Sequence, residues 1–362
     1  MNKPRIPVKN IYYLLLYAWN RLDSGDIVRV AAEDSVELAD LLARVLIAAT
    51  QRLLREGLDR TYVEQLDEST VLRGRIDLSA SVAKNLFASG RAAVWSDDLT
   101  PDNLHNRILK ATLLRLARSE AVANTNRHEL LALYRTLAMV SDIRLQRADF
   151  RMAQVHSNNA FYAFLLDVCL LAFDNLLPVD DRGEYRFNDF LRDERQMWRV
   201  FQDFVCNFVR MHRPDCTVGA ERIDWDFDTK PSTPSFLPSM VTDITVRSRN
   251  ATVVIDTKYY ANALSDYRGR ETFRSNNLYQ LYAYLRNLEC RGGCDAHAAG
   301  VLLYPEVGRK LRERMSLSKH PILVATLDLS EDWRAIHDTL LGLIAEGLFL
   351  AQDSSMPSPL AA

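Results

Sequence analysis

Two aspartates and a lysine carry the chemistry most readily read from this sequence. Asp243 stands in Val241-Thr-Asp-Ile-Thr245, and Asp256 and Lys258 stand in Val253-Val-Ile-Asp-Thr-Lys258. The stretch Ser248-Arg-Asn-Ala251 between them reads as a tight turn. A hairpin centred between Arg249 and Asn250 sets Asp243 directly opposite Asp256, with Cβ atoms about 4.5–5.5 Å apart. Lys258 lies two residues beyond Asp256 and therefore on the same sheet face. Opposed carboxylates repel, and a divalent cation between them removes that cost. Carboxylate oxygens with substrate phosphate are what Mg²⁺ uses. Such an ion, Mg²⁺ or Mn²⁺, polarises a phosphate and lowers the pKa of a bound water. Lys258 then orients that water or stabilises the developing charge. The outline is a phosphodiesterase site.

An isolated Asp-x-Lys on a strand is commonplace and usually solvated. Here it follows an apolar run, Val253-Val254-Ile255, so the acid emerges from a buried element. The next helix brings Gln280-Leu-Tyr-Ala-Tyr284, whose ends share a helical face. Gln280 is placed to hold a metal-bound water or a phosphate, with Tyr284 packed beneath it and so supporting DNA contact. Just past the catalytic strand, Arg268, Arg270 and Arg274 read either as phosphate contacts or as a solvated loop. Arg309, Lys310, Arg312 and Arg314 form a second basic cluster, and on the preceding helix Glu194 and Asp203 read either as metal helpers or, more readily, as a solvated face, with Gln202 a further candidate helper. Cys290, Cys294 and His297 fall one ligand short of a structural zinc site.

The elements that must position these residues follow from periodicity. Residues 36–56 repeat apolar side chains at helical spacing, with Asp34 or Ser35 as cap and Gly57 at the end. Thr100-Pro101-Asp102 reads as a helix start. Short strands are expected over 61–66 and 71–78, the second holding Arg73-Gly74-Arg75. The pattern breaks near 149–159, and a domain boundary is placed at 155/156. Helices over 160–176 and 188–211 follow. Strands are then expected over 217–226, 241–247 and 251–260, a helix over 272–288, strands over 298–304 and 322–327, and a closing helix over 331–350. The order helix, three strands, helix, strand predicts an α/β (α+β) fold, a helical N-terminal domain with a small β-hairpin region followed by a mixed sheet flanked by helices.

Composition sets the outer limits. The 362 residues are 48% hydrophobic and 25% charged, which excludes a disordered or fibrous chain and suits two domains. A formal charge of −2 argues against a general DNA coater but leaves room for a local basic groove. Five widely spaced cysteines point to a reducing compartment. The apolar run over 11–19 is too short for a membrane span and has no cleavage site after it, so a cytoplasmic protein is expected. No Walker-type loop is present, so GTP is not expected to bind this chain itself.

Asp243, Asp256-x-Lys258 and Gln280-x-x-x-Tyr284 within that element order resemble the PD-(D/E)xK nucleases, particularly their RecB-like branch, which implies a restriction-endonuclease-like core for the C-terminal domain. Thr242 stands where a proline usually precedes the first aspartate. A closer resemblance covers nearly the whole chain. Ile6-Pro-Val-Lys-Asn-Ile-Tyr-Tyr-Leu-Leu-Leu-Tyr-Ala-Trp19, Arg73-Gly-Arg-Ile76, Asn106-Arg-Ile-Leu-Lys110, Tyr185-Arg-Phe187, Thr242-Asp-Ile-Thr245, Asp256-Thr-Lys-Tyr-Tyr260, Asn277-Leu-Tyr-Gln280 and Leu303-Tyr-Pro305 are similar to the McrC family. That family comprises nuclease subunits of the 5-methylcytosine-dependent restriction system. The resemblance implies a Mg²⁺-dependent endonuclease with Asp243, Asp256 and the Thr257 backbone carbonyl on the metal. It also implies action on double-stranded DNA carrying methylated cytosine, only when docked on a ring of McrB-like AAA+ GTPase. GTP then enters through the partner alone. The N-terminal domain, through Arg73, Gly74 and Arg75, is expected to dock on the ring and stimulate its GTPase, or else these arginines simply cap a surface hairpin. Two rival readings stand beside it, a non-catalytic adaptor of such a ring and a free-standing RecB-like repair nuclease.

Overall fold

The computed structural model describes residues 6–21, 37–71, 73–153, 159–179, 185–188, 193–226, 236–260, 264–267, 270–306 and 309–353. The chain forms two compact units, Asp26–Asn188 and a second made of Met1–Gly25 with Asp189–Ala362. The division expected at 155/156 is therefore corrected at both ends. Helix α1 (Val8–Ala18) packs on residues of the C-terminal half, and the helix over 160–175 belongs with the N-terminal half.

In Asp26–Asn188, helix α2 (Leu38–Glu56) buries Leu41, Leu42, Val45, Leu46, Ala49 and Leu53, the stripe its spacing predicts. Its expected caps, Asp34 and Ser35, lie outside the described residues. Strand β1 (Thr61–Ser69) runs antiparallel to β3 (Ala92–Thr100), which the sequence reading missed. The strand expected over 71–78 shrinks to β2 (Arg75–Ile76), because Asp77 accepts the Ala80 N–H and starts helix α3 (Leu78–Ala83). Thr100 closes β3 instead of opening a helix. Helix α4 (Leu104–Ala117) begins under Asn103, whose side chain accepts the Asn106 N–H at 3.0 Å. Helices α5 (Asn124–Thr136), α6 (Arg147–Met152) and α7 (Ala160–Asn175), with the strand pair β4 (Leu176–Pro178) and β5 (Tyr185–Phe187), complete this unit.

The other unit is built on a mixed six-stranded sheet. Its strands are β6 (Thr217–Gly219), β9 (Ile244–Arg247), β10 (Thr252–Thr257), β13 (Ala299–Pro305), β14 (Arg312–Leu317) and β15 (His320–Leu327), ordered β14-β15-β13-β10-β9-β6. β10, β13 and β15 run parallel, and the remaining neighbours run antiparallel. Helices α8 (Glu194–His212) and α10 (Trp333–Asp353), with α1, cover one face; α9 (Ser275–Glu289) covers the other. Alternation along β10 explains the split. Val253 and Ile255 enter the α8/α10 core, and Val254 enters the α9 core. Gly300 in β13 lets α9 sit close: a Cβ there would meet Leu281 Cδ2 at 2.7 Å. Two small strand pairs add to the expected elements: β7 (Arg222–Ile223) with β8 (Met240–Val241) breaks the single strand expected over 217–226, and β11 (Leu264–Tyr267) with β12 (Arg270–Phe273) delays the helix expected from 272. The observed order is α8, β6, β9, β10, α9, β13, so the α/β core expected from sequence is present.

Candidate active site

The β9–β10 hairpin takes the register expected for it. Thr252 pairs with Arg247 and Ile255 with Ile244, and Ser248 donates its N–H to the Ala251 carbonyl at 2.9 Å. The ladder stops there, one pair short of the two aspartates. At Thr242 and Asp243 the chain bends between β8 and β9, which releases the Asp243 side chain from the pleat. Its Oδ2 accepts the Thr257 N–H at 3.0 Å and the Thr257 hydroxyl at 3.3 Å. A carboxylate thus stands where the next ladder bond would be.

Asp256 is fully buried at the exit of β10, on the α9 face. Lys258, nearly buried as well, donates from Nζ to Asp256 Oδ1 at 3.0 Å and to Gln280 Oε1 at 3.2 Å. Gln280 Nε2 donates to Tyr284 Oη at 2.8 Å, and Tyr284 Oη donates to the Val241 carbonyl at 2.9 Å. A polar relay therefore runs from β8 through α9 to the lysine and the acid. It fixes the Gln280 amide with its oxygen toward the ammonium, since the phenol proton goes to Val241.

The charges are strained in a metal-site sense. Burial and the neighbouring Asp243, opposed by Lys258, push the Asp256 carboxyl up to about 7. Burial also raises Asp243, against the pull of Lys258 and the Thr257 hydrogen bonds. Burial alone would lower Lys258, yet the two carboxylates hold it above its ordinary value. Among the described residues, Asp256 Oδ2 is buried with no hydrogen-bond partner. An orphaned carboxylate oxygen beside a second carboxylate is costly in a bare protein and is the donor set a hard divalent cation completes. The residues present fit Mg²⁺ or Mn²⁺.

The structure places other expected residues less simply. The Thr257 carbonyl, expected on the metal, accepts the Trp198 Nε1–H at 2.8 Å, which occupies one of its two lone pairs. Trp198 reads from the sequence only as a core or rim aromatic on α8. Gln202 donates to the Asp243 carbonyl at 3.4 Å, while Glu194 and Asp203 are exposed on α8. Tyr284, expected to support DNA contact, is 6% exposed and works beneath Gln280. Arg268 lies outside the described residues, and Arg270 is on β12 with its side chain outside them. Arg274 lies over the Tyr260 ring at 4.5 Å. Asn277, the first residue of Asn277-Leu-Tyr-Gln280, donates to Tyr304 Oη at 3.0 Å on the same sheet face as Asp256. Arg312 and Arg314 of the second basic cluster pair with Glu346, and Arg309 pairs with Glu271.

Arg73 and Arg75 are exposed around Gly74 in the other unit, and Arg75 sits 3.5 Å from Glu64. Gly74 has φ +111°, and a Cβ would lie 2.0 Å from the Trp95 carbonyl oxygen, so only glycine fits. The same segment exposes Val71, Leu78, Val82 and Phe87. The β1–β3 ribbon beside it is acidic rather than basic, with Glu64, Asp67, Glu68, Asp97 and Asp98 on its strands.

Known proteins resemble this chain over most of its length. A family described as McrBC 5-methylcytosine restriction system component matches residues 11–305. An Escherichia coli (strain K12) protein described as type IV methyl-directed restriction enzyme EcoKMcrBC is 33% identical over 349 residues, covering 96% of this chain and 100% of that protein. A solved half-complex from a tetradecameric assembly of Thermococcus gammatolerans McrB AAA+ hexamers with bound McrC aligns with a TM-score of 0.62. It is 18% identical and covers 94% of this chain and 76% of that one, a likeness of fold. Among the described residues no helix is long and apolar enough to cross a membrane.

Proposed function

This chain belongs to the family of McrBC 5-methylcytosine restriction system components, and from that premise we propose that it is the metal-dependent DNA endonuclease subunit of a GTP-dependent, methylcytosine-directed restriction complex. The orphaned, buried Asp256 Oδ2 carries the reading, because it stands beside Asp243 and a lysine held by Gln280. A bound Mg²⁺ or Mn²⁺ supplies Lewis acidity toward the scissile phosphate and makes a coordinated water acidic. Asp243 and Asp256 hold the ion. Lys258 spends two donors on Asp256 and Gln280, and its third N–H orients the attacking water or meets the charge developing on phosphate. Gln280 and Tyr284 keep the ammonium in place. Arg268, Arg270 and Arg274 serve DNA backbone phosphates, which position the duplex without reading its sequence.

The partner is a McrB-like AAA+ GTPase ring, which binds GTP and brings methylated double-stranded DNA to the site. The segment 71–87 is its docking piece, through Arg73 and Arg75 around Gly74. Exposed Val71, Leu78, Val82 and Phe87 beside two cations support this, since apolar patches with a polar rim mark protein contacts. Lys258→Ala, assembled with the GTPase on methylated DNA, should lose cleavage by at least a hundredfold while GTP hydrolysis continues. Cleavage at the native rate would mean that the site is elsewhere.

A further inference from the structure

The end of β10 loses its ladder partner where β9 bends away, and both backbone groups of Thr257 on that side are taken by side chains. Asp243 accepts the N–H at 3.0 Å. Trp198, reaching across from α8, donates its indole N–H to the carbonyl at 2.8 Å. These two bonds hold the peptide planes on either side of Thr257, the residue between the buried acid and the lysine. The Lys258 N–H is fixed in turn on the Leu303 carbonyl at 3.0 Å. The indole is a donor only and cannot compete for a cation itself. Met197 and Phe201, its neighbours on α8, are fully buried, so the helix carrying the indole is firmly seated.

We infer that Trp198 is a positioning residue of the metal site, its indole N–H orienting the Thr257 carbonyl so that the remaining lone pair faces the ion shared by Asp243 and Asp256. The inference rests on the metal-dependent reading above and adds a residue from the opposite sheet face. A hydrogen bond to a ligating oxygen restricts that oxygen to one direction, and removing such an outer partner typically costs about 10–100-fold in metal affinity. Trp198→Phe keeps an aromatic ring on α8 while deleting the indole N–H together with the fused second ring.

The test is Mn²⁺ binding to the full chain, followed by the loss of the free-ion spectroscopic signal, for the native protein, Trp198→Phe and Asp256→Asn. Trp198→Phe should bind at least about tenfold more weakly, with a melting temperature close to native. Binding equal to native in a folded Trp198→Phe overturns the inference alone. Equal binding by native protein and Asp256→Asn overturns the metal reading with it. A second measurement needs no Trp198 variant. Substoichiometric Mn²⁺ should selectively broaden an indole N–H resonance among the five tryptophans, and Asp256→Asn should abolish the effect. If Mn²⁺ binds and no indole resonance responds, the carbonyl is not on the ion and the inference fails.

Discussion

Asp256 is where burial and function oppose each other. Its carboxyl is raised to about 7 in the folded chain, against about 3.9 for an unperturbed aspartate. The native state then holds a proton that the unfolded chain releases. Its contribution to stability is fully present below about pH 4 and is lost as pH rises toward 7. Metal-free protein should therefore lose melting temperature across that window, and Asp256→Asn should flatten the loss. A profile unchanged by Asp256→Asn would contradict the raised carboxyl. Mg²⁺ should restore stability above pH 7 in the native chain and not in the variant, because only the ionised carboxylate holds it. Tyr284→Phe tests the relay beneath the lysine. It removes the hydroxyl that serves both Gln280 and Val241, and should cost about 1–3 kcal/mol of stability by leaving their polar groups unpaired. Thermal or denaturant melts measure that cost. Cleavage by the assembled complex should fall with it.

At the scale of elements, β10 was legible and its surroundings were less so. Three apolar residues after a turn signal, Val253, Val254 and Ile255, gave the buried strand, and the register of its hairpin followed from the turn. What the sequence could not express is that β9 starts late, at Ile244. Thr242 and Thr245 share a hydrogen bond at 2.9 Å, and the Thr242 N–H goes to the Glu221 carbonyl, which pulls the chain out of the ladder. That bend is tertiary. It turned an expected ladder pair of aspartates into one aspartate capping the strand that bears the other. Trp198 escaped for the same reason, since nothing local distinguishes an indole aimed at a backbone carbonyl from one in a core. Strand β3 was missed because only its first half is apolar and buried. The close seat of α9 yields a further prediction. Gly300→Ala would drive a methyl into Leu281 and Leu285, so α9 must shift or its leucines leave their rotamers, at about 1–3 kcal/mol. Its melting temperature should drop, and because Gln280 rides on α9, cleavage should fall further than in a surface variant of equal stability.

Across the whole molecule the two units divide the chain in an order that its length does not betray. A fragment ending at 155 would lack α7, whose Phe164, Leu165, Val168 and Cys169 are buried within Asp26–Asn188. That fragment should fail to melt cooperatively, whereas residues 26–188 should do so. Circular dichroism of the two constructions decides it, and identical melts would argue against the observed units. Residues 26–188 are then the piece with which to ask whether the exposed segment around Gly74 raises GTP turnover by the ring. Arg73→Ala with Arg75→Ala should weaken that stimulation several-fold without changing the fragment's melting temperature, because both side chains are exposed. Unchanged GTP turnover by a folded fragment would sink the docking assignment and leave the cleavage site standing.

Helix α1 closes the unit that bears the two aspartates. Tyr17 packs on Phe204 and Phe208, Tyr13 stacks on Trp333, and Asn10 donates to the Leu329 carbonyl, 319 positions later, at 2.8 Å. During translation, at roughly 5–20 residues per second, the segment that seals this core leaves the ribosome long before its binding site is made. The intervening residues Asp26–Asn188 form a compact unit of their own. The unit that bears Asp243 and Asp256 is thus completed last, because Leu329 and Trp333 must be translated before α1 has its seat.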